Sequence, residues 1–287
     1  MTRAVASLVG LLVTGQVIRV TAQTVASRLA SVPGSTRAAG LGGAGAALVG
    51  DAGAIFANPA AIATVHRMAF DGSFAQYRDG TEFLGGALAL RLGSVDWGIG
   101  AEALAAAGSA TTDWLGMSSV VVRMGMIAVG GSAKYAHQAP GGVPSSGWAG
   151  DAGLAIAVFD ILALGLSVQN FGGAAGTGAH LPRRTRAGFT MNYVDPQGSY
   201  RLLTTVEGQW PEAAGAFLVL GVEGGVVTHG VGLIGRTGYA GHSVTSAGSP
   251  FTFGGSVEIG HLHLDYAYHA AGAPASDTHR FGLRWTP

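Results

Sequence analysis

His261-Leu262-His263-Leu264-Asp265-Tyr266-Ala267-Tyr268-His269 is the stretch that decides the fold. Every second residue, His261, His263, Asp265, Ala267 and His269, is polar or small. The residues between them, Leu262, Leu264, Tyr266 and Tyr268, are apolar or aromatic. Successive side chains of a strand point to opposite faces, so this stretch predicts a strand with one polar and one apolar face. The end of the chain repeats the pattern, with Phe281, Leu283 and Trp285 against Arg280, Gly282 and Arg284. So does Ile161 to Asn170, with Leu162, Leu164, Leu166 and Val168 against Ala163, Gly165, Ser167 and Gln169.

Working outward, the same alternation runs from about residue 67 to the C-terminus, broken by turn residues. Candidate strands lie near 67–75, 82–92, 94–104, 114–124, 126–137, 147–157, 161–170, 184–193, 199–209, 214–225, 228–239, 250–259, 261–270 and 277–286. These are about fourteen segments of about ten residues, an even number and the length a tilted strand needs to cross a bilayer. Connections at Gly93-Ser94 and Gly260 are tight, whereas 105–113, 138–146, 171–183 and 240–249 are longer and polar or Gly-rich. Short turns alternating with longer loops fit a membrane barrel, whose periplasmic turns are short.

Composition agrees. Of 287 residues, 48% are hydrophobic and 11% charged, against a usual charged share of roughly 25%. Lys and Arg total 16, Asp and Glu 16, and there is no Cys. A balanced charge argues against nucleic acid as a partner. The lack of Cys excludes disulfide scaffolds, thiol nucleophiles and Cys-based zinc sites. A soluble sandwich would also alternate, but its polar face would meet water and would need more charge to stay dispersed. Here the charges share the face opposite the apolar row: Asp71, Arg91, Asp96, Glu102, Lys134, Asp151, Arg184, Arg186, Glu207, Glu223, Arg236, Glu258, Asp265, Arg280 and Arg284. Both signs are present, so they can pair inside a lumen while the apolar face meets lipid. Trp97, Tyr135, Tyr193, Tyr239, Tyr266, Tyr268 and Trp285 fall mostly on the apolar face, several near segment ends where interfacial girdles form.

Residues 1–22 read as a cleaved secretory signal. Arg3 supplies the positive start, Ala4 to Val13 the apolar run, and Val20-Thr21-Ala22 a small-residue cleavage site. The apolar run is too short to span a bilayer. The expected organisation is a signal peptide at 1–22, an extension and plug at 23–66, and an all-β transmembrane antiparallel barrel at 67–287, placed in the bacterial outer membrane among its lipids.

Residues 35–65 do not alternate. Asp51 can cap one short helical turn, and Asn58 before Pro59 another. A small Gly-rich element of this kind can fold into the lumen. Gly is 49 of 287 residues, about 17% against a usual 7%. Many of these glycines fall on the inward face: Gly98, Gly100, Gly130, Gly153, Gly165, Gly188, Gly221 and Gly254. Small inward residues leave room for a plug or let strands bend, and a genome rich in G and C would raise Gly as well. Gly40, Gly42 and Gly45 spell a literal G-x-G-x-x-G, but no strand precedes it and no crossover follows, so a dinucleotide site is not expected. Close backbone packing is the expected use of these glycines.

The run from Arg37 through Gly40, Leu41, Gly42 and Gly43 to Ala44, with Asp51-Ala52 and Ile55-Phe56-Ala57-Asn58-Pro59-Ala60, resembles the N-terminal signature of the PorV/PorQ family, outer-membrane barrels related to the FadL transporters. Leu164 to Gly173 with Leu181-Pro182, Leu262 to Tyr268, and Asp277 to Trp285 resemble the same family. The resemblance implies a fourteen-strand barrel and makes Gly40, Gly42, Gly43, Asp51, Asn58, Pro59 and Ala60 the plug motif. It implies a carrier or component for protein secretion of the type IX kind, with secreted cargo proteins or secretion-machine components as partners. The alternative is a FadL-like transporter of small hydrophobic molecules, and a second alternative is a structural barrel with no transported substrate. The chain is short for the family and its loops are modest.

The side-chain cluster that most invites a chemical reading is His261, His263, Asp265 and His269. His-x-His on a strand aims two imidazoles the same way, a spacing zinc sites use. His269 stands about 27 Å from His261 at 3.4 Å per residue, too far to share a metal. A polar lumen cluster of His261, His263, Asp265, Arg280 and Arg284, paired across strands, is the reading favoured here. No G-x-S-x-G elbow is present. Neither enzyme activity nor a cofactor is expected.

Overall fold

A computed structural model of the chain describes residues 29, 32–108, 112–139, 144–158, 161–172, 181–194, 198–212, 214–241, 248–270 and 277–287. The expected signal at 1–22 lies outside them. Fourteen antiparallel strands close into one barrel: β1 (Met68–Tyr77), β2 (Glu82–Leu92), β3 (Val95–Ala105), β4 (Thr112–Met124), β5 (Ile127–Gln138), β6 (Ser145–Val158), β7 (Leu162–Phe171), β8 (Arg184–Asn192), β9 (Tyr200–Pro211), β10 (Phe217–Thr228), β11 (Val231–Ala240), β12 (Phe251–Ile259), β13 (Leu262–His269) and β14 (Thr278–Trp285). Each strand pairs with its neighbours in sequence. The ring shuts where β1 meets β14, with Phe70 opposite Trp285 and Tyr77 opposite Thr278. Closure leaves no free sheet edge, which a bilayer would not tolerate.

Four connections at one end are two-residue hairpins: Gly93-Ser94, Gly125-Met126, His229-Gly230 and Gly260-His261. In three of them Gly takes the first central position with positive φ, as these turns require. The fourth differs from the sequence expectation. The turn between β10 and β11 falls at residues 229–230, about three residues later than the alternation implies. Both His229 and Gly230 take positive φ there, which suits a mirror-image hairpin turn, and His is not a residue that announces one. The connections near 105–113, 138–146, 171–183 and 240–249 lie at the opposite end, and the link between β8 and β9 shares the short-turn end.

Alternation sorts the side chains as the period-two reading requires. Inward residues are buried, including Asp71, Glu102, Glu207 and Asp265, while outward ones stay exposed: Leu84 is 63% exposed and Leu233 71%. A water-soluble protein would not leave such rows of Leu, Val and Phe uncovered on every strand. This apolar face suits contact with lipid. Trp114, Tyr135 and Trp148 form a row along the outside near the longer loops, tilted and edge-on, with ring centroids 5.6 and 5.1 Å apart. Tyr266 and Phe281 form a similar pair at 5.4 Å. Among the described residues no helix is long and apolar enough to cross a membrane.

Three short helical turns fill the barrel: α1 (Thr36–Gly40), then the 3-10 turns η1 (Ala52–Phe56) and η2 (Pro59–Thr64). Each begins at a side-chain cap. Ser35 accepts from the Ala38 N–H, Asp51 from Gly53 and Asn58 from Ala60. Pro59 sits at the first position of η2, where its missing N–H costs nothing. Ile55, Ile62, Leu41 and Leu48 of this segment are among the most buried side chains of the protein. The core of this barrel is therefore the plug and the wall residues that face it.

Candidate functional site

The plug touches strands all round the ring, and its seat is made of glycine. A Cβ on Gly98 of β3 would lie 2.8 Å from Ile55 Cδ1, and one on Gly100 2.7 Å from the Phe56 ring. On β5, a Cβ at Gly130 would lie 3.0 Å from the Ala60 nitrogen. On β10, one at Gly221 would lie 3.0 Å from Leu41 Cβ, and on β14 one at Gly282 would lie 2.6 Å from the Thr36 hydroxyl. Gly153 of β6 meets Asn58 and Pro59, Gly165 of β7 meets the Ala46 carbonyl, and Gly238 of β11 meets Gly42 and Leu41. Any side chain at these positions would collide with the plug, in several cases with its backbone. Gly188 differs: its neighbours are Val206 and Glu207 of the adjoining strand.

Polar side chains complete the seat. Arg37 makes a two-pronged contact with Glu223, Nε to Oε2 at 2.9 Å and Nη2 to Oε1 at 3.1 Å. Its third donor, Nη1, reaches the Val49 carbonyl at 3.0 Å. Burial alone would depress Arg37, but the Glu223 carboxylate more than offsets this and holds the guanidinium above its ordinary value. Glu207 accepts the backbone N–H groups of Gly45 and Ala46 at 2.8 and 2.7 Å through one oxygen. Its other oxygen accepts from Arg186 at 3.0 Å and Gln209 at 2.7 Å. Asn58 caps η2 with its oxygen and donates through its amide to the carbonyls of Ala46 at 2.7 Å and Leu154 at 3.1 Å. One side chain thus ties two plug segments to β6.

A bulge on β7 adds a clasp. The β6–β7 register shifts between Gly150 and Ala152, and Asn170 takes φ of 60°. Gln169 and Asn170 consequently both sit on the buried side. Gln169 donates to the Phe56 carbonyl at 2.5 Å, and Ser167 donates to the Ala57 carbonyl at 2.7 Å. Asn170 accepts from Lys134 at 3.1 Å, and Lys134 pairs with Asp151 at 2.7 Å.

The residues singled out from sequence fall as follows. The Gly40 carbonyl accepts from the Thr252 hydroxyl at 3.1 Å, and Gly42 N–H donates back to it at 3.0 Å. Gly42 and Gly43 hold φ of 75° and 89°, conformations that favour glycine. The Gly43 carbonyl accepts from Arg186. Asp51 accepts from the Ser35 hydroxyl at 3.0 Å. Pro59 and Ala60 rest on Gly153 and Gly130.

The five residues grouped as a polar cluster do not meet at one point. Asp265 and Arg284 are joined at 2.6 Å, and Asp265 also binds Arg236 at 2.8 Å and the Ser256 hydroxyl. His263 lies 3.0 Å from Glu258. His261 lies in the exposed β12–β13 turn against the Thr286 carbonyl, because alternation does not continue through a two-residue hairpin. Arg280 stands apart, its guanidinium 4.5 Å over the Phe83 ring. Among the described residues no group of three or more His, Asp or Glu side chains is placed to hold a metal ion. Sequence reasoning placed Glu207, Glu223, Arg186 and Gln169 on the inward face but did not identify them as plug anchors.

Cavities flank the plug. On the longer-loop side a space of about 30 Å³ is bordered by Gly43, Gly45, Phe56, Gln169 and Arg186. On the short-turn side a vestibule of about 800 Å³ is bordered by Val49, Gly50, Arg201, Leu203, Ile234 and His263. A neighbouring space of about 250 Å³ shares Val49, His66 and Asn192 with it. Outside, a depression of about 780 Å³ crosses five strands, β14 and β1 to β4. Its floor is Gly72, Gly86, Ala101 and Gly116, successive cross-strand partners, and its sides include Phe74, Trp114 and Phe281.

No family model matches the sequence, and no curated protein matches it. Among solved structures the chain is similar to the toluene transporter TbuX of Ralstonia pickettii, at 13% identity and a TM-score of 0.62, covering 89% of this chain and 99% of that one. It is similar to the toluene transporter TodX of Pseudomonas putida, at 11% identity and a TM-score of 0.50, covering 87% and 96%. A TodX variant described as a monoaromatic hydrocarbon channel gives 11% identity and 0.58, covering 87% and 97%. At these identities the likeness is one of fold.

Proposed function

We propose that this protein is an outer-membrane transport barrel that passes small hydrophobic molecules, closed at rest by its N-terminal plug. The observation that carries the reading is the plug itself, an Ala- and Gly-rich segment seated on wall glycines, with a cavity on either side. The fold it shares with hydrocarbon transporters supports the reading. So does the apolar depression on the outer wall, a shape that would receive apolar cargo on the membrane side. At plug level the lumen is filled by buried side chains and paired charge, so passage requires part of the plug to move. The secretion-carrier reading draws no comparable support, since the fold likeness is to hydrocarbon transporters.

The test is uptake by intact cells. A strain lacking this gene should take up labelled toluene more slowly than its parent and a small sugar at an unchanged rate. Complementation should restore the difference. Equal toluene uptake in both strains would refute the reading.

A further inference from the structure

We propose that residues Gly43–Gly50 form a hinged flap, the element of the plug that moves to join the two cavities, and that Glu207 is the wall residue that holds it shut. The role of the motion in transport rests on the transporter reading above; the motion itself does not.

The flap lies between the cavities. Gly43 and Gly45 border the upper one, and Val49 and Gly50 border the vestibule below. Its ends are glycines in left-handed conformations, Gly43 at φ 89° and Gly50 at φ 72°. Within it no helix or strand forms, and most of the bonds holding it are made by side chains. Glu207 takes the N–H groups of Gly45 and Ala46, Arg186 the Gly43 carbonyl, Asn58 the Ala46 carbonyl, Arg37 the Val49 carbonyl, and Thr64 the Gly50 N–H. The adjoining turns are held differently: α1, η1 and η2 each keep their own backbone bonds and caps. The flap can therefore leave its seat without unwinding a helix. Its free direction is downward, into about 800 Å³ of vestibule. Arg37, Asn58 and Thr64 also bond other parts of the plug or wall, whereas both plug contacts of Glu207 are to the flap, two bonds through one oxygen against the single bond from Arg186.

The chain has no Cys, so single-cysteine variants of the full protein report cleanly. Leu48, in the flap, is 1% exposed, and Ile62, in η2, is 0% exposed. The protein is reconstituted in lipid vesicles, and Leu48→Cys and Ile62→Cys are labelled with a water-soluble maleimide. Position 48 should react faster than position 62. Glu207→Gln should speed labelling at 48 by about tenfold, the size of losing a hydrogen bond to a charged group, and leave 62 unchanged. Gly50→Ala is the second variant, because a Cβ there touches nothing within 4 Å and acts only by straining a positive φ. It should speed position 48 by about fivefold. Equal, slow labelling at both positions in every background would overturn the proposal, as would parallel acceleration at 48 and 62, which means the whole plug moves. If labelling follows the prediction and no hydrophobic molecule is taken up, the flap stands and the transporter reading falls.

Discussion

Gly165 on β7 faces the carbonyl of Ala46 in the plug so closely that no Cβ fits between them. The contact is backbone against backbone, so neither side can yield by turning a side chain. Seven other wall glycines meet the plug from β3, β5, β6, β10, β11 and β14, Gly130 and Gly238 against its backbone and the rest against its side chains. Part of the Gly excess thus has a steric reason: the inner wall is stripped of side chains where the plug sits.

Gly165→Val should displace the plug from β7. Overpacking costs about 1–3 kcal/mol, and against fixed backbone the upper end is expected. Gly116→Ala, on the outer face with open space around its Cβ, should change stability by no more than about 0.5 kcal/mol. Urea unfolding in vesicles, read as the fraction of barrel that migrates fast without boiling, compares the two.

Glu223 serves two guanidiniums, Arg37 at 2.9 Å and Arg236 at 2.5 Å. Glu223→Gln leaves Arg37 without its carboxylate and Arg236 with Asp265 alone, and should cost about 3–5 kcal/mol. Arg37→Gln should cost less, since Glu223 keeps Arg236. Reversal of that order in the same unfolding measurement would contradict the pairing described.

Asn58 uses its amide nitrogen and oxygen at once. Asn58→Asp preserves the cap of η2 but loses both donated bonds and buries a charge, so it should not rescue the loss seen with Asn58→Ala. Each variant should lose about 1–3 kcal/mol, measured by the same unfolding series.

Leu166, midway along β7, is 44% exposed on the outer face. Leu166→Arg should cost about 2–4 kcal/mol if that face lies near the middle of a bilayer. On a water-exposed surface the same change would shift stability by about 0.5 kcal/mol at most. Unfolding in lipid vesicles separates the two cases.

The barrel could be read from the sequence because period-two alternation is local: Leu262, Leu264, Tyr266 and Tyr268 declare their face within one strand. The inward glycines at 98, 100, 130, 153, 165, 221 and 254 could be placed for the same reason, as could Asp51 and Asn58, whose caps act within two residues. The anchors could not. Glu207 reaches Gly45 across 162 residues of chain, and no local feature separates it from Glu258, which pairs with His263 instead. His261 joined the lumen cluster on alternation alone, which the hairpin ends one residue before β13 begins. The His229-Gly230 turn was displaced for a related reason, since Val226 and Val227 continue the apolar run up to it.

We propose conduction of small hydrophobic molecules through this plugged barrel. It is tested most directly by reconstituting the purified full-length protein in lipid vesicles that enclose a serum-albumin trap, and following influx of labelled toluene beside a labelled sugar of similar size. The protein should speed trapping of the hydrocarbon over protein-free vesicles, Glu207→Gln should speed it further, and sugar influx should stay at background. Hydrocarbon influx equal to that of protein-free vesicles, for both the natural protein and Glu207→Gln, would contradict it.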